Sequence, residues 1–182
     1  MERPSWDDTF ITMCYVMASR SPDLSTKVGA IITTLSNELV SAGYNGLPRG
    51  MDQGIETDAC GIPKRLSPQN GMKYLYTEHS ERNAIYNAGR NGVPLLNCKL
   101  YVNFLPCADC ARAITQSGIV EVITHTEGQK AFYETRGDGP NQWKESHDMV
   151  LDMFDETGVT HRWHSCKLIQ PTAFFSGQQI NL

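Results

Sequence analysis

The sequence predicts an α/β fold in which a mixed β-sheet is covered by helices, and three observations lead there. β-rich runs alternate with helix-periodic runs in the order α-β-β-α-β-α-β-α-β, which calls for an opening hairpin followed by parallel crossovers. Gly, Pro, Asn and Ser punctuate the ends of those runs. The chain has 182 residues, 40% of them apolar, enough for one sizeable core and short for two. A single domain over 1–182 is expected, without linker, internal repeat or low-complexity stretch.

Ser5 is an N-cap candidate with Asp8 behind it, and Trp6, Phe10, Met13, Cys14 and Met17 share one stripe of a helix ending near Ser19. Val28 to Leu35 and Glu38 to Asn45 are β-rich and turn at Ser36 and Asn37, which reads as a hairpin. The stretch from Gly46 to Met72 holds three prolines and five glycines and few apolar pairs. It reads as a long loop or flap, about 46–76, and loops of that length are usually functional or mobile. From Thr77 to Gly89, Ala84, Ile85 and Ala88 recur at helical spacing and Gly89 offers a stop. A strand centred on Lys99 to Phe104 follows, then a helix from about Cys107 to Ser117 closed by Gly118, then a strand from Ile119 to His125. Beyond a turn at Gly137 to Pro140, Trp143, Val150 and Phe154 mark a fourth helix that stops at Gly158. Val159 to His164 and Lys167 to Gln170 read as one or two short final strands.

A net charge of −4 and a pI near 5.7 argue against a surface built to hold long nucleic acid, which needs many uncompensated cations against phosphates. A small anion in a local basic pocket remains compatible. No run of about 18 apolar residues occurs, and MERPSWDD lacks the basic-then-apolar order of a secretory signal, so a soluble, cytoplasmic protein without membrane contact is expected. The six cysteines, Cys14, Cys60, Cys98, Cys107, Cys110 and Cys166, are irregularly spaced in a chain too large to need disulfide staples. Cys14 and Cys98 read as core, and the one close pair as metal-binding or redox-active.

That pair lies in PCADC, Pro106 to Cys110. Cysteines at i and i+3 opening a helix face the same side of its first turn, next to N–H groups that have no partner within the helix. Those donors and the helix dipole favour thiolate, the metal-binding form. Upstream, His79 and Glu81 stand at the polar head of an otherwise apolar helix. The two are about 200° apart on an ideal helix, so both reach one small centre only at a terminus where the backbone is still turning. One imidazole and two sulfurs give Zn²⁺ three protein ligands, leaving a fourth position as catalytic sites do. A CxxC alone is equally a redox pair or half of a structural zinc site, and a lone His at a helix start is usually a cap. Together, H-x-E and P-C-x-x-C with a strand between them form the signature of the zinc base deaminases.

On these residues the chain resembles the zinc-dependent cytidine and deoxycytidylate deaminase superfamily, and within it the deoxycytidylate (dCMP) deaminases. GYNGLPRG (Gly43 to Gly50) is similar to that family's nucleotide-contacting loop, HSERNAI (His79 to Ile85) to its first zinc motif and PCADCARAITQSGI (Pro106 to Ile119) to its second, in order from about Trp6 to Val159. The resemblance implies a cytidine deaminase-like α/β/α sandwich with a five-stranded mixed sheet, and a homo-oligomer, with a hexamer favoured. It implies hydrolysis of dCMP to dUMP and ammonia, with one zinc on His79, Cys107 and Cys110. Glu81 would carry protons from the attacking water to N3 of cytosine and then to the departing amine.

The resemblance also implies that Asn45 contacts the sugar and the backbone near Ala30 reads the cytosine edge, although an ordinary buried strand is the alternative for Ala30. Arg20, Lys27 and Arg49 flank the hairpin as phosphate candidates, with solvation the alternative for each, and Tyr133 or Phe132 is the nearest match to the family's phosphate-side aromatic residue. His125 ends its strand and is expected to be exposed. Two residues depart from the family pattern: Ser80 for the usual alanine, and Arg82 for the usual apolar residue. Arg82 is expected to hydrogen-bond Cys107 or Cys110 sulfur, a surface arginine being the alternative. The flap holds Cys60 and no histidine, so the second, structural zinc of some relatives is not expected and one zinc per chain is. Family precedent further implies dCTP and dTTP as effectors, assisted by Mg²⁺. The alternatives are the same chemistry on dCTP, a modified dCMP, free cytidine or deoxycytidine, a pteridine or pyrimidine precursor or adenosine in transfer RNA, and a structural zinc module that binds without turnover.

Overall fold

The computed structural model describes residues 3–52, 54, 56–69, 71–135, 141–171, 173–175 and 178–180, with the backbone alone for 141–143, 173–175 and 178–180. Helix α1 (Trp6–Ala18) begins at Ser5, whose hydroxyl accepts from the Asp8 N–H while the Asp8 carboxylate accepts from the Ser5 N–H, the reciprocal cap that S-x-x-D suggests. Strands β1 (Gly29–Thr34) and β2 (Leu39–Tyr44) form an antiparallel hairpin, with Asn37 in the left-handed region at φ 72°. Helix α3 (Ser80–Arg90) follows the flap, then β3 (Cys98–Val102), α4 (Ala108–Gln116), β4 (Ile119–His125), α6 (Asn141–Thr157) and β5 (Thr160–His164).

The main sheet has the order β2-β1-β3-β4-β5; β1 is antiparallel to both neighbours, and β3, β4 and β5 run parallel. Alternate side chains split the core into two layers. Ala30, Ile32, Leu100, Val102 and Val122 pack against Ala84, Ala88, Ile114, Val150 and Phe154 from α3, α4 and α6. Ile31, Tyr101 and Ile123 meet Phe10, Ile11 and Cys14 of α1. Each Val, Leu, Ile or Phe among them contributes about 1.5–3 kcal/mol of apolar burial. Cys14 and Cys98 are both in this core.

Close docking of α1 and α3 depends on two glycines. A Cβ on Gly29 would lie 2.0 Å from the Cys14 carbonyl oxygen, and one on Gly43 would lie 2.2 Å from that of Ser80. Helix α3 also closes the free edge of β2: Asn83 and Asn87 donate to the Tyr44 and Ala42 carbonyls, and Ser41 donates to the Ala84 carbonyl.

Several elements differ from the sequence reading. The helix expected from Thr77 begins at Ser80, because Glu78 is extended and spends its backbone groups on Gly46 in a two-way bridge (2.8 and 3.0 Å). The flap carries a 3₁₀ turn (Lys64–Leu66) and a short helix α2 (Met72–Tyr76). Helix α5 (Thr126–Thr135) was not anticipated: its apolar residues are adjacent, not periodic, and Gly128 lowers helix propensity. That glycine is required, since a Cβ there would meet the Asn103 carbonyl oxygen at 2.2 Å. Lys167 to Gln170 is not a strand; the Ile169 N–H goes to the Thr12 hydroxyl at 3.0 Å, which anchors the segment on α1 instead of the sheet. A hairpin of β6 (Ala173–Phe175) and β7 (Gln178–Ile180) lies in the tail. The turn expected at 137–140 and the Trp143 side chain fall outside the described residues. Among the described residues no helix is long and apolar enough to cross a membrane.

Candidate active site

Two helix beginnings meet over the sheet. His79 is the N-cap residue of α3 and Cys107 that of α4, and Cys110 stands in the first turn of α4. His79 Nδ1 lies 3.4 Å from Cys107 Sγ and 3.5 Å from Cys110 Sγ. A tetrahedral zinc with Zn–S of about 2.3 Å and Zn–N of about 2.0–2.1 Å separates its nitrogen and sulfur ligands by about 3.5 Å. Both nitrogen–sulfur separations therefore match those of a tetrahedral Zn²⁺ site. No fourth His, Cys, Asp or Glu joins this cluster among the described residues.

The three groups shift one another's proton affinity. The hydrogen bond from Cys110 outweighs burial and, with His79, pulls the Cys107 thiol down to about 4. The bond to Cys107 raises His79 to about 9, and Cys110 is pushed up, first because it donates to Cys107 and then by burial. Divalent charge at this point would replace those protons.

Glu81 is 5% exposed, and Ser80 donates to its Oε2 at 2.8 Å. Burial pushes its carboxyl above the usual range, with the charge of His79 acting the other way. A carboxyl so placed holds a proton more readily than a solvated one and can pass it to a neighbouring group. Both Glu81 and the cluster open on a cleft of about 150 Å³, a volume in which an apolar site accommodates a benzene-sized ring. Val28, Phe104, Leu105 and Phe132 give it apolar walls, while Asn45, Thr26 and His147 supply polar groups.

Of the other residues singled out from sequence, Asn45 lines the cleft. Its Nδ2 donates to Asp23 (3.2 Å) and to the Thr26 carbonyl (2.8 Å), and its Oδ1 accepts from the Val28 N–H (2.8 Å), which fixes the amide and leaves one lone pair of Oδ1 for a ligand. Ala30 lies deeper, fully buried in the sheet, and Thr26 and Val28 border the cleft in its place. Lys27 lines an adjoining groove that shares Thr26, Tyr74, Phe104 and Phe132 with the cleft. Arg20 is exposed and borders neither, and Arg49 donates to Asn87 in a separate groove beside α3. Tyr133 stands behind the wall, hydrogen-bonded to His147 at 2.5 Å, whereas Phe132 faces in. Arg82 binds Glu78 at 2.6 Å, and among the described hydrogen bonds neither sulfur is its acceptor: the shared carboxylate is one helical turn away and also accepts from the His79 N–H. His125 is 4% exposed, held by the Tyr15 hydroxyl at 2.8 Å, contrary to the exposed position expected.

Sequence reasoning missed two features of the wall. Lys73, from α2 in the flap, makes a buried ion pair with Asp23 at 2.6 Å. His147, mid-way along α6, reaches the cleft from far along the chain, and burial lowers its pKa. Neither sits in a motif; only the fold brings them there.

The model of the cytidine and deoxycytidylate deaminase zinc-binding region matches residues 4–126. Deoxycytidylate deaminase of Mus musculus is 38% identical over 120 residues, 65% of this chain and 63% of that protein, and that of Homo sapiens matches equally. The chain thus spans about 63% of the length of those curated relatives. A deaminase encoded in the luxG 3′ region of Aliivibrio fischeri is 35% identical over 158 residues, 87% of this chain and 92% of that one. Among solved structures, the dCMP deaminase of cyanophage S-TIM5 superposes with a TM-score of 0.60 at 19% identity, covering 90% of this chain and all of its own, a likeness of fold. With that match over both zinc motifs, this chain belongs to the cytidine and deoxycytidylate deaminase family.

Proposed function

We propose that this protein hydrolyses dCMP to dUMP and ammonia, using one Zn²⁺ held by His79, Cys107 and Cys110. The observation that carries the reading is a buried carboxyl, Glu81, opening on a ring-sized cleft beside a three-ligand cluster. The similarity to deoxycytidylate deaminases supports the choice of nucleotide. When bound, zinc supplies Lewis acidity that makes a water acidic enough to lose a proton near neutral pH. Glu81 takes that proton to N3 of the cytosine ring, the hydroxide left behind adds to C4, and Glu81 then carries the remaining hydroxyl proton to the exocyclic amine as the C4–N bond breaks, giving the uracil carbonyl and ammonia. Phe104, Leu105 and Phe132 hold the ring and exclude bulk water. Asn45 meets the sugar through Oδ1, and Lys27, at the adjoining groove, is the cation assigned to the 5′-phosphate.

A structural zinc module would need a fourth protein ligand, and the acidic balance disfavours transfer RNA. The same reading makes this a cytoplasmic homo-oligomer, a hexamer, activated by dCTP and inhibited by dTTP with Mg²⁺; a sigmoidal dCMP curve that dCTP renders hyperbolic is its kinetic mark. Zinc-loaded protein is expected to consume dCMP in preference to deoxycytidine, cytidine and dCTP, followed by the loss of cytosine absorbance. Glu81→Gln should keep its zinc and lose turnover by about 10²–10⁴. Zinc-loaded protein inert toward dCMP, or Glu81→Gln active at the wild-type rate, would overturn the reading.

A further inference from the structure

We propose a second metal site, for a thiophilic divalent cation such as Zn²⁺, formed by Asp8, His164 and Cys166 where α1 meets the end of β5. One ligand atom from each of these residues lies within 4.8 Å of the other two. None of the three lines the cleft. Carboxylate, imidazole and thiolate together are a ligand set that suits zinc and disfavours the all-oxygen cations.

A second carboxylate stands near the ring. Asp7 Oδ2 lies 4.0 Å from His164 Nδ1, an ion-pair separation and not a hydrogen bond, and Asp7 is itself held by Arg162 at 2.8 Å and by the Tyr101 hydroxyl at 2.8 Å. His164 Nε2 and Asp8 Oδ1 are 2.7 Å apart and share a proton. A cation would take that proton's place with a small opening of the pair, and Cys166 would become the third arm. Glu127 adds a further carboxylate, accepting from the Ser165 hydroxyl and the Cys166 N–H. Asp7, Asp8 and Glu127 put three carboxylates around the Cys166 sulfur, a negative field that favours a cation.

Asp8 belongs to the cap of the first helix and His164 ends the last strand of the main sheet, 156 residues later. A cation there would staple the two ends of the main fold together and anchor the segment after β5. Sequence spacing could not show this, because the ligands come from opposite ends of the chain.

The test is metal content of the full chain after stripping and dialysis against zinc. Two zinc per chain are expected. Cys166→Ser, His164→Ala and Asp8→Asn, which keeps the helix cap, should each hold one, with dCMP turnover unchanged. His79→Ala should lose the other one and keep the zinc that Cys166→Ser removes, so failure of this site and failure of the deaminase site are told apart. With cobalt in place of zinc, Cys166→Ser should lose part of the thiolate-to-cobalt charge-transfer absorption. One zinc per wild-type chain that His79→Ala loses and Cys166→Ser keeps, or two in each of the three variants, overturns the proposal. If one variant does not fold, the other two carry the same comparison.

Discussion

Replacing Lys73 by methionine should destabilise the protein by about 3 kcal/mol, the low end of what breaking a buried ion pair costs. The pair is 2.6 Å long, with side chains 8% and 1% exposed, so Asp23 cannot recover its lost partner from solvent. The estimate sits at the low end because other donors stay: the Ser25 N–H at 2.8 Å and hydroxyl at 2.9 Å, the Thr26 N–H at 3.2 Å and Asn45 Nδ2 at 3.2 Å. The loss amounts to about a hundredfold in the folding equilibrium. Burial raises the Asp23 pKa, but the bond to Lys73 and the Ser25 donors outweigh it, and the net value lies below 3.8. A depressed carboxylate contributes stability that is full above the unfolded pKa and lost as pH falls through the folded one. The gap between wild type and Lys73→Met should therefore be constant around neutrality and close in acid below about pH 4. Urea denaturation over that range measures it, and Asp23→Asn combined with Lys73→Met should recover much of the loss by leaving no bare charge. Because Asp23 also fixes the Asn45 amide, the KM for dCMP should rise. A Lys73→Met loss under about 1 kcal/mol at neutral pH, or one that Asp23→Asn does not relieve, would refute the argument.

Two further outcomes follow from the docking of α3. Gly43→Ala places a methyl against the Ser80 carbonyl and the Ala84 N–H, at 2.2 and 2.5 Å, so α3 must shift. Overpacking of this kind costs about 1–3 kcal/mol, and since the shifted turn carries Glu81, kcat should fall together with the melting temperature. Arg82→Leu releases Glu78, which accepts from the His79 N–H, and should weaken zinc binding about tenfold in a competition assay with a chelator; an unchanged affinity would make Arg82 a surface residue.

The chemistry-bearing residues were legible in the sequence because each belongs to a local pattern. His79, Glu81, Cys107 and Cys110 stand at helix beginnings, where capping geometry and spacing constrain one another. The hairpin, the central strands and the cap at Ser5 were legible for the same reason. What the sequence hid is non-local. Gly128 is an unfavourable helix residue until Asn103 is packed against it. Lys73 and His147 reach the cleft from elements with no motif, and Lys167 to Gln170 has strand composition but finds its hydrogen bond on α1. The place of Arg82 at the sulfurs is an expectation of the family resemblance, whereas a carboxylate one turn back, that of Glu78, takes its guanidinium.

The spacing of His79 Nδ1 from the two sulfurs bears on metal choice as well as catalysis. Ligands already set at tetrahedral separation need little rearrangement to capture an ion, so uptake should proceed in the folded chain without a folding step. One nitrogen and two sulfurs discriminate by donor type: magnesium, which demands six oxygens in an octahedron, does not find them here. Cations of zinc's size and softness compete on equal terms, so availability in the cell would decide which one the protein carries.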